Sequence, residues 1–412
     1  MTRRYGLIGT GHRAQLYIDA LAGEWSDAGR LVALCDTNAT RMAYYNTFDA
    51  AVHRPDRFAE MLTGIDALIV TTVDATHAGY VRAALDAGVD VVVEKPLTVD
   101  EDGCARIAAA AARSDARLIV TFNYRYSPRN SAVRELLASG RIGEVTAVHF
   151  EWLLDTIHGA DYFRRWHREH DKSGGLLVHK STHHFDLVNW WLGSSPATVF
   201  AQAGLRFYGP DGAGAGRADG DLFRPDLFAD PRLKALYADA AHEDGYVRDQ
   251  DVFSAGVTID DTMSVLVRYA NRAVLTYALN AYSPREGYRV AFTGTRGRIE
   301  LEVSERAWAS PDAALDPTAG KSEEETYERL TVQEHWKPAE EIEIMRGAGG
   351  HGGGDALLLD DVFRGPSRDP LARQAGWRDG IRSVLTGVAA DRSARTGRPV
   401  HLTADGLGLQ DG

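Results

Sequence analysis

Cysteine is nearly absent: two in 412 residues are too few for a disulfide framework. With Cys35 in an expected core strand and Cys104 in an expected helix, both thiols fit a reducing compartment. No apolar run reaches the length of a membrane-spanning helix, so no membrane partner is expected. The first expected strand begins by residue 5, which leaves no space for a signal peptide, and the cytoplasm is the expected location. Basic charge is in deficit, 46 Lys and Arg against 58 Asp and Glu, for a net charge of −12 and a pI near 5.6. Such a surface repels phosphate backbones, and nucleic acid is not an expected partner. What remains, 44% hydrophobic and 25% charged residues, is the composition of an ordinary globular protein. The length exceeds one hydrophobic core and favours two domains.

The most informative stretch is the first. Tyr5-Gly6-Leu7-Ile8 reads as a buried strand running into Gly9-Thr10-Gly11-His12-Arg13-Ala14, with a helix following to about Leu21. This is the G-x-G-x-x-G/A dinucleotide fingerprint between a strand and a helix, where it has mechanical meaning. Gly9 permits a tight turn, Gly11 lets a pyrophosphate approach the backbone, and Ala14 keeps the helix close to the sheet. The helix N-terminus offers unpaired N–H groups to negative charge. A second apolar strand, residues 31–35, ends at Asp36, where an acidic side chain would hold a ribose 2′-hydroxyl and disfavour a 2′-phosphate. NAD is therefore the expected cofactor. Arg41, one turn into the next helix, would weaken that preference.

Strand–helix alternation continues to about residue 123. Strands are expected over 66–72, 89–94 and 118–122, with helices over 75–86 and 101–113. Short connections of this kind predict a parallel, doubly wound sheet, whose ligands meet the carboxyl ends of the strands. Thr71, Thr72, Val73 and Asp74 fall there, as do Glu94-Lys95-Pro96 and Asn123-Tyr124-Arg125. After a helix over 128–139 the pattern changes. Residues 146–154, 198–205, 252–259, 263–269, 273–281, 288–292 and 297–303 read as strands without crossover helices. Met263, Val265, Val267 and Tyr269 alternate with Ser264, Leu266 and Arg268 at the period of a half-buried strand. The expected fold is thus α/β: a Rossmann domain over 1–124 and an α+β domain over 125–412 with a large, mainly antiparallel open sheet. One face of that sheet is an expected homo-oligomer interface, dimer or tetramer, because open sheets need cover. An irregular insertion spans about 204–251. Residues 304–325 read as a surface loop, and 346–355, with His351 among glycines, precede a helix over 356–363. A last helix is expected over 377–390.

Two clusters carry candidate chemistry. Lys95 sits at the carboxyl end of a valine-rich strand, where desolvation beside a nicotinamide would lower its pKa and suit it to proton transfer. A plain surface lysine fits the same position. The second cluster is Gly174-Gly175-Leu176-Leu177-Val178-His179-Lys180-Ser181-Thr182-His183-His184-Phe185-Asp186, opening a helix to about Leu192. His179 and His183 are four apart, the spacing of a metal pair. The Glu of an H-E-x-x-H motif is missing, Lys180 follows His179, and no third ligand is evident. No metal is expected. Trp166 and His167 precede the cluster and are expected near the same cleft, while His158, His167 and His170 read as loop histidines.

Taken together, Gly6 to Ala14, Asp36, Thr72-Val73-Asp74-Ala75-Thr76-His77, Glu94-Lys95-Pro96, Asn123-Tyr124-Arg125 and Gly174-Gly175 leading to His183-x-x-Asp186 resemble the Gfo/Idh/MocA (glucose–fructose oxidoreductase, inositol dehydrogenase, MocA) family. The resemblance covers most of residues 1–200. It implies nicotinamide between the two domains and substrates that are sugars, cyclitols or their derivatives. It also implies a cofactor site of Gly9, Thr10, Gly11, His12, Arg13, Asp36, Thr71, Thr72, Val73, His77, Glu94, Lys95 and Asn123. Catalysis would fall to Lys95, His183 and His179, and substrate contacts to Arg125, Trp166, His179 and His183. One departure stands out. Family members often carry Asp-x-Gly-x-His in the second domain, and here His179 takes the Asp position and Ser181 the Gly position. The expected activity is NAD-dependent oxidation or reduction at a secondary hydroxyl of a sugar, glycoside or cyclitol. The alternatives are redox-neutral cleavage of a glycoside with NAD retained, and a catalytically silent nicotinamide sensor.

Overall fold

The computed structural model describes residues 2–217, 220–224, 226, 228–310, 326–345, 350–365 and 368–410. Its N-terminal sheet contains β1 (Arg3–Ile8), β2 (Gly29–Cys35), β3 (Ala51–His53), β4 (Ala67–Val70), β5 (Asp90–Val93) and β6 (Leu118–Val120) in the order 3-2-1-4-5-6, all parallel. This is the doubly wound arrangement, with the strand order reversing between β1 and β4. The central strands are buried on both faces, which is why their sequences are continuous apolar runs. The helix Ala39–Tyr45 places Arg41 in its first turn, as expected, whereas the edge strand β3 and the helix Phe58–Thr63 were not among the expected elements. These two are three and six residues long, and β3 has no buried residue to give it a period.

The second sheet has nine strands. They are β7 (Val145–Asp155), β8 (Pro196–Gly204), β9 (Thr262–Tyr269), β10 (Val274–Ser283), β11 (Glu286–Gly294), β12 (Gly297–Arg306), β13 (Tyr327–Glu334), β14 (Glu340–Ile342) and β15 (Val400–His401). Their order is 14-13-12-11-7-10-9-8-15, and every pair is antiparallel except β7 with β10. In β9 the odd-numbered residues from Met263 to Tyr269 are buried and Ser264, Leu266 and Arg268 are exposed, as the alternation requires. Helices Ser181–Leu192 and Trp377–Thr396 cover the inner face, burying Phe185, Val188 and Trp191. On the opposite face polar and charged side chains, among them Glu151, Arg289 and Glu300, line a broad groove.

Two expectations need correction. Residues 252–259 form turns, not a strand, because their apolar side chains anchor a loop: Val252 and Ile259 are buried while Gly256 adopts a left-handed φ of 92°. The helix after Gly174-Gly175 is broken at Lys180 into Leu176–His179 and Ser181–Leu192. Helix Gly350–Phe363 packs on the first sheet, with the Phe363 ring edge-on to Tyr5 at 5.2 Å. Of the loops read from sequence, residues 311–325 and 346–349 and the side chain of His351 lie outside the described residues.

Candidate active site

The fingerprint loop leaves β1 through Gly9, whose φ of 93° and closeness to the Thr71–Thr72 backbone (2.7 Å from a notional Cβ) leave no place for a side chain. A Cβ on Gly11 would instead project into the cleft, with only the Tyr237 hydroxyl near it, at 3.6 Å. Thr71 Oγ1 donates to Gly9 O at 2.6 Å and ties the ends of β1 and β4 together. Asp36 Oδ2 accepts from the Thr10 N–H (2.5 Å) and hydroxyl (2.8 Å), and Oδ1 from the Asn38 N–H (2.9 Å). Thr10 is fully buried and works by holding Asp36, while Asp36 itself lines the cleft. Arg13 Nε and the Tyr17 hydroxyl donate to Glu94 at 2.6 and 2.7 Å, and the Arg13 charge holds that buried carboxyl down against desolvation. The cleft of about 630 Å³ between the two sheets also takes in His12, Thr72, Val73, His77 and Asn123. His77 bridges its walls, its ring nitrogens 3.1 Å from Thr72 O and 2.8 Å from Pro96 O. Asn123 donates to Asp355 at 2.7 Å. An exposed glycine backbone, a carboxylate at the end of β2 and an open cleft together fit a dinucleotide.

At the other end of the cleft Lys95, His179 and Asp74 form a chain. Lys95 Nζ lies 3.4 Å from His179 Nε2, and His179 Nδ1 lies 2.5 Å from Asp74 Oδ2. Asp74 and His179 are buried, and Lys95 is half-buried where it lines the cleft. Burial pushes the Lys95 ammonium down to about 8, with Asp74 and Glu94 opposing the shift. The same burial, reinforced by the Lys95 charge, holds the His179 imidazole well below its ordinary value, and it pushes Asp74 up against the pull of Lys95. His183, in the first turn of Ser181–Leu192, stacks on Tyr124 at 4.5 Å and lines the same cleft. The break at Lys180 therefore does not part the two histidines. Trp166 lines the wall, stacked on His167 at 3.6 Å, and the His167 ring meets that of His179 at 4.2 Å.

Residues 3–122 match the family described as "Oxidoreductase family, NAD-binding Rossmann fold", and residues 134–402 match "Oxidoreductase family, C-terminal alpha/beta domain". The chain belongs to the Gfo/Idh/MocA oxidoreductase family. It is 36% identical over 421 residues to YteT of Bacillus subtilis (strain 168), named as an oxidoreductase, covering 94% of each chain. It is 32% identical over 206 residues to the inositol 2-dehydrogenase of Rhizobium meliloti (strain 1021), covering 50% of this chain and 59% of that one. The fold is also that of the WlbA dehydrogenase from Bordetella pertussis, solved with NADH and UDP-GlcNAcA, at 18% identity and a TM-score of 0.66 over 98% and 99% of the two chains. A Gfo/Idh/MocA chain carries an NAD-binding Rossmann domain, and among the described residues no helix is long and apolar enough to cross a membrane.

Within this family frame the departure at His179 has a structural answer. Asp74, from the loop after β4, supplies a carboxylate to the imidazole that stands where family members often carry Asp. Asp74 was expected at the ligand-facing end of its strand but was not named a site residue. Nor were Asp161, Tyr162, Arg165 and Arg248, all of which line the cleft. His158, read as a loop histidine, lines it too, and His167 lies in the cleft beside Trp166, where it was expected. The irregular insertion folds back on the Rossmann domain. Tyr237 OH accepts from the His12 N–H at 2.7 Å, Glu243 accepts from the Ala39 and Thr40 N–H groups at 2.7 and 2.8 Å, and Asp244 pairs with Arg41. Arg125 is the one expected substrate residue the structure removes from the cleft. Its guanidinium is buried, donates to both Asp186 oxygens at 2.7 and 2.5 Å, and also pairs with Asp379. A buried cation needs its counter-charge, and Asp186 is that partner.

Proposed function

We propose that the chain is an NAD-dependent dehydrogenase acting at a secondary hydroxyl carbon of a sugar, glycoside or cyclitol. The observation that carries this reading is the Asp74–His179–Lys95 chain, which opens on the cleft that begins at the fingerprint loop. The names of relatives support the substrate class: one is an inositol 2-dehydrogenase, and a chain of the same fold was solved with NADH and a nucleotide sugar.

Gly9, Gly11, His12, Arg13, Asp36, Thr71, Thr72, Val73, His77, Glu94 and Asn123 would hold the dinucleotide, and Thr10 would orient Asp36. NAD, when bound, supplies the acceptor for the hydride. Lys95 takes the proton of the substrate hydroxyl as its carbon is oxidised and returns it in the reverse direction. Its pKa near 8 keeps a fraction neutral at neutral pH. His179 aligns the amine, and Asp74 holds the His179 ring in place. His183 binds the reacting hydroxyl, and Trp166 gives the ring a flat apolar wall. Residues 1–124 serve the cofactor and 125–412 the substrate, with the insertion reaching back to the cofactor side. The uncovered sheet face, with Leu266 and Val274 exposed, serves as the homo-oligomer contact. The buried, unpaired Cys35 and Cys104 suit the cytoplasm.

The test is incubation of the purified chain with NAD and a panel of sugars, glycosides and cyclitols. NADH formed in proportion to oxidised product supports the dehydrogenase. Glycoside cleavage without net NADH would replace it with the redox-neutral reaction, and no turnover of any member would favour the sensor.

A further inference from the structure

One wall of the cleft carries more positive charge than its partners neutralise. Three guanidinium groups converge on one buried carboxylate. Asp161 Oδ2 accepts from Arg165 at 2.8 Å and from Arg248 at 3.3 Å, and Arg164 lies 3.8 Å from Oδ1. Among the described residues no other carboxylate pairs with any of the three. Arg164 points away, donating to Phe223 O at 3.0 Å. Arg165 and Arg248 line the cleft. The Arg248 side chain is only 3% exposed, yet its Nη1 has no hydrogen-bond partner among the described residues, and neither has Arg165 Nε.

Burying cations in excess of their counter-charges is costly unless something neutralises them. This chain does so while its net charge is −12, so the positive cleft wall is local and not a general property of the surface. The cluster is also close to the reacting groups. The Arg165 charge is among those that hold Lys95, His167 and His179 down. Arg165 follows directly on Arg164 and precedes Trp166, so it is attached to the same short segment that forms the aromatic wall. Arg248 comes from the far end of the insertion, its guanidinium 5.1 Å from the Tyr237 ring. Planar forks of this kind are suited to a carboxylate.

We propose that Arg165 and Arg248 form a binding site for an anionic group carried by the substrate, which selects acidic sugars or cyclitols over their neutral counterparts. Asp161 holds the two guanidinium groups in place and leaves them with net positive charge. This inference rests on the sugar reading above and names the substrate class of that same site. The same chemistry could be met by the cofactor's pyrophosphate, because Tyr237 reaches the fingerprint loop, and the experiment must separate the two sources.

The experiment is a titration of the NAD-loaded protein with D-glucuronate and D-galacturonate against D-glucose and D-galactose, read by tryptophan fluorescence. It needs no turnover, so it stands apart from failure of the dehydrogenase reading. At least one acid is expected to bind about ten-fold or more tightly than its neutral partner, the scale of a hydrogen bond to a charged group. Arg248→Gln and Arg165→Gln should bring that ratio towards one, and Arg248→Lys should keep part of it. NAD affinity should change little in folded variants. Acids that bind no tighter than the neutral sugars in the wild-type protein overturn the proposal, whatever the variants do. A ratio that survives both substitutions overturns it as well. So does a loss of NAD affinity with the ratio intact, which would assign the guanidinium pair to the pyrophosphate.

Discussion

Asp74 Oδ2 and His179 Nδ1 stand 2.5 Å apart across the cleft, one from the Rossmann half and one from the sheet half. This contact fixes the imidazole so that its other nitrogen faces Lys95. Asp74 is a positioning residue in this arrangement, and its charge also supports the Lys95 ammonium. In Asp74→Asn that support is lost, and the Lys95 pKa should fall further below 8. The pH at which sugar oxidation rises should therefore move to a lower value, while kcat falls by about ten-fold or more. A purely structural role for Asp74 would lower activity without moving the profile, and a pH series of kcat separates the two.

Lys95 itself should govern the alkaline side of the reaction. The neutral amine accepts the hydroxyl proton, so oxidation should rise as pH passes through about 8 and level off above it. Reduction needs the ammonium and should fall over the same range. Lys95→Met should lower kcat by roughly 100- to 10,000-fold, the usual contribution of a proton-transfer group, and change NAD affinity far less. Near-normal turnover in that variant would remove Lys95 from the mechanism.

The sequence was most readable where the fold is periodic and local. The fingerprint, the alternation of β9 and the Lys95 strand each follow from residues close together in the chain. The missed features depend on long-range closure. Asp74 and His179 are 105 residues apart, and Tyr237 meets His12 across 225. Nothing in the glycine-, alanine- and aspartate-rich start of the insertion marks the residues that return to the cofactor loop. Arg125 failed for a related reason. Its place after β6 is where ligand contacts collect, but its partner Asp186 lies 61 residues on. Arg125→Ala should accordingly destabilise the fold by about 3–5 kcal/mol, the cost of stranding a buried charge. The loss should show in thermal melting, and substrate KM in the folded fraction should change little.

The histidine pair should work without a metal. Among the described residues no group of three or more His, Cys, Asp or Glu side chains is arranged to hold an ion. His179 is bonded to Asp74 on one side and faces a lysine on the other, a cation that would repel a metal. Activity should survive dialysis against EDTA, and His183→Ala should lower kcat. Stoichiometric zinc or manganese in the purified protein, with activity lost on chelation and restored by the metal, would overturn this assignment.

Cofactor choice should depend on the insertion as well as on Asp36. Arg41 is the cation that would welcome a 2′-phosphate, and the sequence alone leaves it free to do so. In the structure it is buried against Asp244, which also accepts from Asn38 Nδ2 at 3.2 Å. Two carboxylates, Asp36 and Asp244, thus line the region where the adenosine ribose would lie, and the nearby guanidinium is already paired. Asp36→Ala alone should loosen NADH but admit NADPH poorly, because Arg41 stays engaged. Asp244→Asn alone should free Arg41 while Asp36 still repels the phosphate. Only the double variant should bind NADPH well, with a gain of roughly ten-fold or more over either single change, the scale of hydrogen bonds to a charged group. Dissociation constants for NADH and NADPH, measured by nucleotide fluorescence on all four proteins, decide it. A wild-type chain that binds the two nucleotides equally would show that neither carboxylate discriminates.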